Sequence, residues 1–158
     1  MEDCYLGIDL GNTKSVFYLM SNNGQKRDAG SLPTLSEFAW RTLLEPLRGS
    51  RLRACFEASP HYDWLYDLLA EFCCEVVMVN PADFAVISRS QRKTDKIDAQ
   101  KLAEGLRRGD LPAVYVPEKR VREDRRLVSF VHWHSQQLAS VKHKIRSLLL
   151  GARLKCPA

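Results

Sequence analysis

The sequence predicts an α/β fold built on a mixed β-sheet, and three observations carry that expectation. Two apolar runs joined by Gly11-Asn12 make a β-hairpin at the start of the chain. Two further apolar runs, 51–57 and 75–79, alternate with segments of helical periodicity. Residues 95–108 then carry an apolar stripe at steps of three and four, the spacing of one helix face.

Residues 4–9 (CYLGID) read as a buried strand that ends on Asp9. The turn at Gly11-Asn12 returns the chain through 15–20 (SVFYLM), closing the hairpin. Asn22-Asn23-Gly24 is a second turn signal, and 25–29 a short third strand. Pro33 or Thr34 opens a helix through Leu47, with Phe38, Leu43, Leu44 and Leu47 on its inner face; Gly49-Ser50 ends it. Residues 51–57 (RLRACFE) form the next strand and end on Glu57. Ser59 caps and Pro60 starts a helix to about Cys73, with Trp64, Leu65, Leu68, Leu69 and Phe72 turned inward. Residues 75–79 (EVVMV) are apolar without alternation, as in a strand covered on both faces. Asn80-Pro81 caps a short helix to about Ile87, and 88–94 is a polar, basic loop.

The helix 95–108 carries the strongest functional signal. Its stripe reads Asp95, Asp98, Leu102, Leu106, with Ala99 and Ala103 beside it. Aspartates present only for solubility belong on the opposite face. Asp9 and Glu57 likewise end apolar strands. Two unit charges about 4 Å apart repel by roughly 4 kcal/mol at an effective dielectric near 20. Four carboxylates brought together therefore call for a cation, and hard oxygen donors suit Mg2+ or Mn2+. The expected site is Asp9, Glu57, Asp95 and Asp98 around two such ions, with Asp9 bridging and Glu57 and Asp98 each favouring one.

Charge is divided along the chain. Residues 1–88 hold 7 basic and 12 acidic residues, whereas 89–158 hold 17 basic and 7 acidic, a net of −5 against +10. That asymmetry predicts a polyanionic partner for the second half. Arg89, Arg92, Lys93, Thr94 and Lys96 surround the start of the acidic helix, Lys14 follows the hairpin turn, and Arg122, Arg125 and Arg126 lie further on. These are the expected phosphate contacts.

Gly109-Asp110-Leu111-Pro112 breaks the acidic helix, 114–116 is a short extended piece, and a long helix follows over about 118–154. Leu127, Val131, His134, Leu138, Val141, Ile145 and Leu148 alternate steps of four and three along it, a coiled-coil seam of about three heptads. The reading gives a first domain over 1–112 and a basic helical segment over 113–158 that serves oligomerisation and nucleic-acid contact. His132, Trp133 and His134 point in different directions on a helix and read as packing, not as a metal site.

The five cysteines, Cys4, Cys55, Cys73, Cys74 and Cys156, include no CxxC pair and read as reduced thiols of a cytoplasmic protein. No apolar run approaches the roughly 20 residues that span a bilayer. The N-terminal MEDCYLGIDL enters a strand at once, so no signal peptide is expected.

Three segments, GIDLGNTKS, FEASPHYDW and KTDKIDAQKLA, together resemble the N-terminal domain of the DEDD transposases, which include the Piv-type DNA invertases (the IS-one-ten group). The resemblance continues through EVVMVNP and GDLPAVYVP and into the basic helix. KTDKIDA is its most specific part. It implies a ribonuclease H-like (RuvC-like) domain whose acidic tetrad is Asp9, Glu57, Asp95 and Asp98. It implies Mg-dependent DNA cleavage and strand exchange, guided by a structured RNA from the element. It also implies a separate C-terminal domain bearing a serine, which this sequence does not contain. The family's Thr-Gly after the strand-ending Glu-Ala is replaced here by Ser59-Pro60.

Alternatives remain open at the level of sequence. A Holliday-junction-resolvase-like nuclease uses the same acids without a further domain. A truncated module binds nucleic acid and cleaves nothing. GIDLGNTKS also resembles the first phosphate loop of actin-like ATPases and pantothenate kinases, which predicts ATP binding instead.

Overall fold

The computed structural model describes residues 2–59, 62–87 and 95–155. The chain divides into two compact units, Met1–Val116 and Pro117–Ala158. The first holds a six-stranded mixed sheet formed by β1 (Asp3–Asp9), β2 (Lys14–Ser21), β3 (Lys26–Pro33), β4 (Arg51–Glu57), β5 (Glu75–Val79) and β6 (Ala113–Val114). Their order across the sheet is β3-β2-β1-β4-β5-β6. β1 pairs antiparallel with β2 and parallel with β4; β4 and β5 are parallel, and β6 returns antiparallel to β5.

Alternation along the strands separates two apolar layers. Cys4, Leu6 and Ile8 of β1, Phe17 and Leu19 of β2, and Leu52, Ala54 and Phe56 of β4 enter one core. That core is covered by Trp40 and Leu44 of α1 (Glu37–Leu44) and by Leu65, Leu68 and Leu69 of α2 (Tyr62–Ala70). Tyr5, Tyr18, Met20, Cys55 and Val79 face the other way. They meet Phe84 of α3 (Pro81–Ile87) and Ala99, Leu102, Ala103 and Leu106 of α4 (Asp95–Arg108).

The expected first helix is corrected at both its start and its face. It begins after Ser36, whose Oγ accepts from the Ala39 N–H at 3.3 Å, and Glu45–Leu47 continue it as a single 3-10 turn. Thr34 has another role. Its hydroxyl donates to the Gly11 carbonyl at 2.7 Å, while its own carbonyl accepts from the Trp40 indole at 3.0 Å. That anchor buries Trp40 and leaves Phe38, expected inside, 82% exposed. The third strand runs on to Pro33, longer than expected, because edge position tolerates a proline in its last place.

The second unit holds one helix, α5 (Lys119–Gly151), and Arg153 beyond it adopts the left-handed region (φ 58°). Leu127, Val131, Leu138, Val141, Ile145 and Leu148 are 51–63% exposed along it. His134 lies between the rings of Phe130 and Trp133, with centroids 4.4 and 4.8 Å away. The apolar line expected as a seam is therefore present on the helix surface; its pairing with another helix is not seen.

Candidate active site

Strand parity fixes where two of the four acids face. Asp9 shares the parity of Tyr5 and Gly7, and Glu57 that of Cys55, so both lie on the α4 side of the sheet. They also lie side by side. β1 and β4 run parallel, with Ile8 opposite Phe56, and Asp9 and Glu57 follow that last pair. Neighbouring strands are about 4.8 Å apart.

α4 brings the other two to the same edge. It crosses β1 closely enough that a Cβ on Gly7 would collide with the Ala99 carbonyl oxygen and the Ala103 amide nitrogen. Only glycine leaves room for that approach. At the C-terminal end of α4, Arg107 donates to the Asn22 carbonyl at 3.3 Å, beside the start of β1, where Cys4 pairs with Ser21. The helix thus runs antiparallel to β1, and its first turn points toward the strand's C-terminal end. Asp95 lies one turn before Ala99, about 6 Å along the axis. Asp9 lies two residues past Gly7, a similar length of strand. Asp9 and Glu57 accordingly share one face at the C-terminal ends of the central strands β1 and β4, and the first turn of α4, with Asp95 and Asp98, lies toward that same end of the sheet.

Their burial differs from the expectation. Asp9, Glu57 and Asp98 are half-buried and Asp95 is exposed. The reason is geometric: the apolar stripe of α4 covers the sheet through Ala99, Leu102, Ala103 and Leu106, then runs past the strand ends, where Asp95 and Asp98 meet solvent. Among the described residues, no three His, Cys, Asp or Glu side chains approach one point closely enough to hold an ion. The four acids thus share an edge without closing into a cage. Their donor type, hard carboxylate oxygen, fits Mg2+ or Mn2+.

Lys14, exposed at the start of β2, has the parity of Val16, which pairs with Asp9. It therefore stands on the acid face, just beyond Asp9. Arg89, Arg92, Lys93 and Thr94 lie outside the described residues, as does the side chain of Lys96. Arg125 and Arg126 are exposed on α5. Arg122 is not placed as a phosphate contact: it is only 6% exposed and donates to the Pro117 carbonyl at 3.1 Å. Gly7 is the residue that sequence reasoning missed. Its signal was present as a glycine in an otherwise bulky strand, opposite a helix with alanines four apart.

A family model describing a transposase, DEDD_Tnp_IS110, matches residues 6–153. The chain belongs to this transposase family. The match takes in Gly7–Ser15, so that segment is read within the transposase family and not as a kinase phosphate loop. The chain is also similar to "Putative transposase y4qE" of Sinorhizobium fredii (strain NBRC 101917 / NGR234), with 26% identity over 163 residues. The alignment covers 96% of this chain and 42% of that relative, so the transposase domain described here spans less than half the relative's length. Among its described residues, no helix is long and apolar enough to cross a membrane.

Proposed function

We propose that this chain is the acid-bearing domain of a DNA transposase, in which Asp9, Glu57, Asp95 and Asp98 hold Mg2+ or Mn2+ for phosphodiester cleavage and strand exchange. One observation carries the reading. Strand parity and the α4 crossing at Gly7 lead all four acids to a single edge. Chance placement of four acids on a two-faced sheet with two ends has no reason to choose one face and one end. The ribonuclease H-like assignment of the mixed sheet, the structured guide RNA and self-association through α5 belong to the same proposal.

Two ions, if held by these carboxylates, would supply a clamp on the attacking and leaving oxygens of the phosphodiester. The protein's share is placement. Asp9 and Glu57 sit at the ends of paired strands and offer carboxylates on a rigid base. Asp95 and Asp98 sit on a first helical turn with solvent beside them, so their side chains have room to turn inward. Lys14 gives the same face a cation for the nucleic-acid backbone; separately, Arg125 and Arg126 are exposed cations of α5. The test is a cleavage assay on duplex and four-way-junction DNA with Mg2+ or Mn2+. Product from the wild type and none from Asp9→Asn is the expected result.

A second reading is a binding module that holds nucleic acid without cutting it. The absence of a three-acid cluster among the described residues favours it. Divalent-dependent binding with no product under any metal would select it.

A further inference from the structure

We propose that Ser59 positions phosphate at the acidic edge: its hydroxyl donates a hydrogen bond to a non-bridging oxygen of a nucleic-acid phosphate held beside Glu57. This rests on the reading of that edge as a divalent-dependent nucleic-acid site. Ser59 stands two residues past Glu57. The Ala58 N–H still donates to the Val79 carbonyl at 2.9 Å, and Ala58 packs against the core beneath α1 and α2. The alternation of β4 thus continues one step beyond the strand and carries Ser59 toward the face of Glu57.

The Ser59 Oγ is buried and has no hydrogen-bond partner. The capping role expected from Ser59-Pro60 is therefore not made, and the adjacent Glu57 carboxylate does not take the hydroxyl either. An unmade hydrogen bond at a buried hydroxyl costs about 1–3 kcal/mol, and Ser59 Oγ is one of five such buried side-chain atoms among the described residues. Alanine would fill this position without that cost. A serine makes sense here when its acceptor arrives with a ligand. The residue as a whole is half-buried, so its hydroxyl lies close beneath the surface. At an edge lined by carboxylates the incoming acceptor is an anionic oxygen carried in with its cations, which describes a backbone phosphate.

The experiment measures fluorescence anisotropy of labelled four-way-junction DNA with the full 158-residue chain, in Mg2+ and in EDTA, alongside thermal unfolding. Ser59→Ala is expected to weaken Mg2+-dependent binding about tenfold, the worth of a hydrogen bond to a charged acceptor, with the unfolding midpoint unchanged or raised. Ser59→Thr keeps the hydroxyl and is expected to restore binding. Unchanged affinity in Ser59→Ala overturns the proposal, and so does a lowered midpoint with no selective loss of Mg2+-dependent binding. Asp9→Asn separates the two layers of inference. If it abolishes Mg2+-dependent binding while Ser59→Ala does not weaken it, only the serine's role fails. If binding owes nothing to Mg2+ in the wild type, or Asp9→Asn leaves it intact, the reading of the edge fails and the serine's role with it.

Discussion

The two ends of α4 treat carboxylates in opposite ways. At the C-terminal end, Glu104 is held by Arg107 at 2.7 Å and by Arg108 at 2.8 Å. The Arg107 hydrogen bond keeps the Glu104 carboxyl below the usual glutamate range, with Arg108 adding to it. At the N-terminal end, Asp95 and Asp98 have no salt bridge among the described residues and lie in the first turn of the helix. A helix N-terminus favours acids by about 0.3–1 kcal/mol, and this alone gives two aspartates a structural use. It does not explain why the facing strands end in acids as well. One end of the helix pairs its glutamate with two arginines of its own last turn; the other carries two aspartates with no salt bridge among the described residues.

The most severe way to break this contrast is to lift the helix. Gly7→Val places side-chain atoms where the Ala99 and Ala103 backbone lies, and neither can yield cheaply. Overpacking of this kind costs about 1–3 kcal/mol or more, so denaturant unfolding is expected to show a stability loss of roughly 3 kcal/mol. Leu102→Ala, which empties the same layer without touching the edge, is expected to lose about 2–5 kcal/mol. Both changes act on the packing that the two ends share.

The next effect separates the ends. Asp98→Asn is expected to lower divalent-dependent DNA affinity at least about tenfold, the scale of a lost charged ligand, with the unfolding midpoint held or raised as repulsion falls. A midpoint that drops, with affinity unchanged, would return Asp98 to a purely structural role. Lys14→Gln tests the cation on the acid face. Its affinity loss is expected to be uniform across DNA sequences, with the slope of log affinity against log salt reduced by about 1.

The smallest effect belongs to the neutralised end. Glu104 is ionised more readily folded than unfolded, so its ion pairs stabilise the protein above the ordinary glutamate pKa of 4.5. As pH falls through the lower folded value, that contribution disappears. Glu104→Gln is accordingly expected to be less stable than the wild type at neutral pH and to converge with it in acid. The group is solvent-screened, so the gap is under about 1 kcal/mol.

How much of this was legible in the sequence differs by element. The strands Arg51–Glu57 and Glu75–Val79 and the helix Asp95–Arg108 were readable to the residue, because apolar runs and stripes there coincide with burial in the folded sheet. The placement of Asp9 and Glu57 at strand ends was readable for the same reason. The face of α1 was not, because its rotation is set by a long-range anchor, the Trp40 indole on the Thr34 carbonyl, which no local period encodes. The exposure of Asp95 was misjudged because periodicity tells which side of a helix faces the sheet, not where the sheet stops. Gly7 was overlooked because its neighbour, the Ala99 backbone, is 92 residues away along the chain.

The central claim is that four acids on one edge form a seat for divalent ions. A crystal structure of the chain with Mn2+ and DNA, read for anomalous density, tests it most directly. Manganese is expected to be coordinated by Asp9 and Glu57 and by at least one of Asp95 and Asp98. Manganese bound elsewhere on the surface, with these carboxylates left apart at the edge, would contradict it.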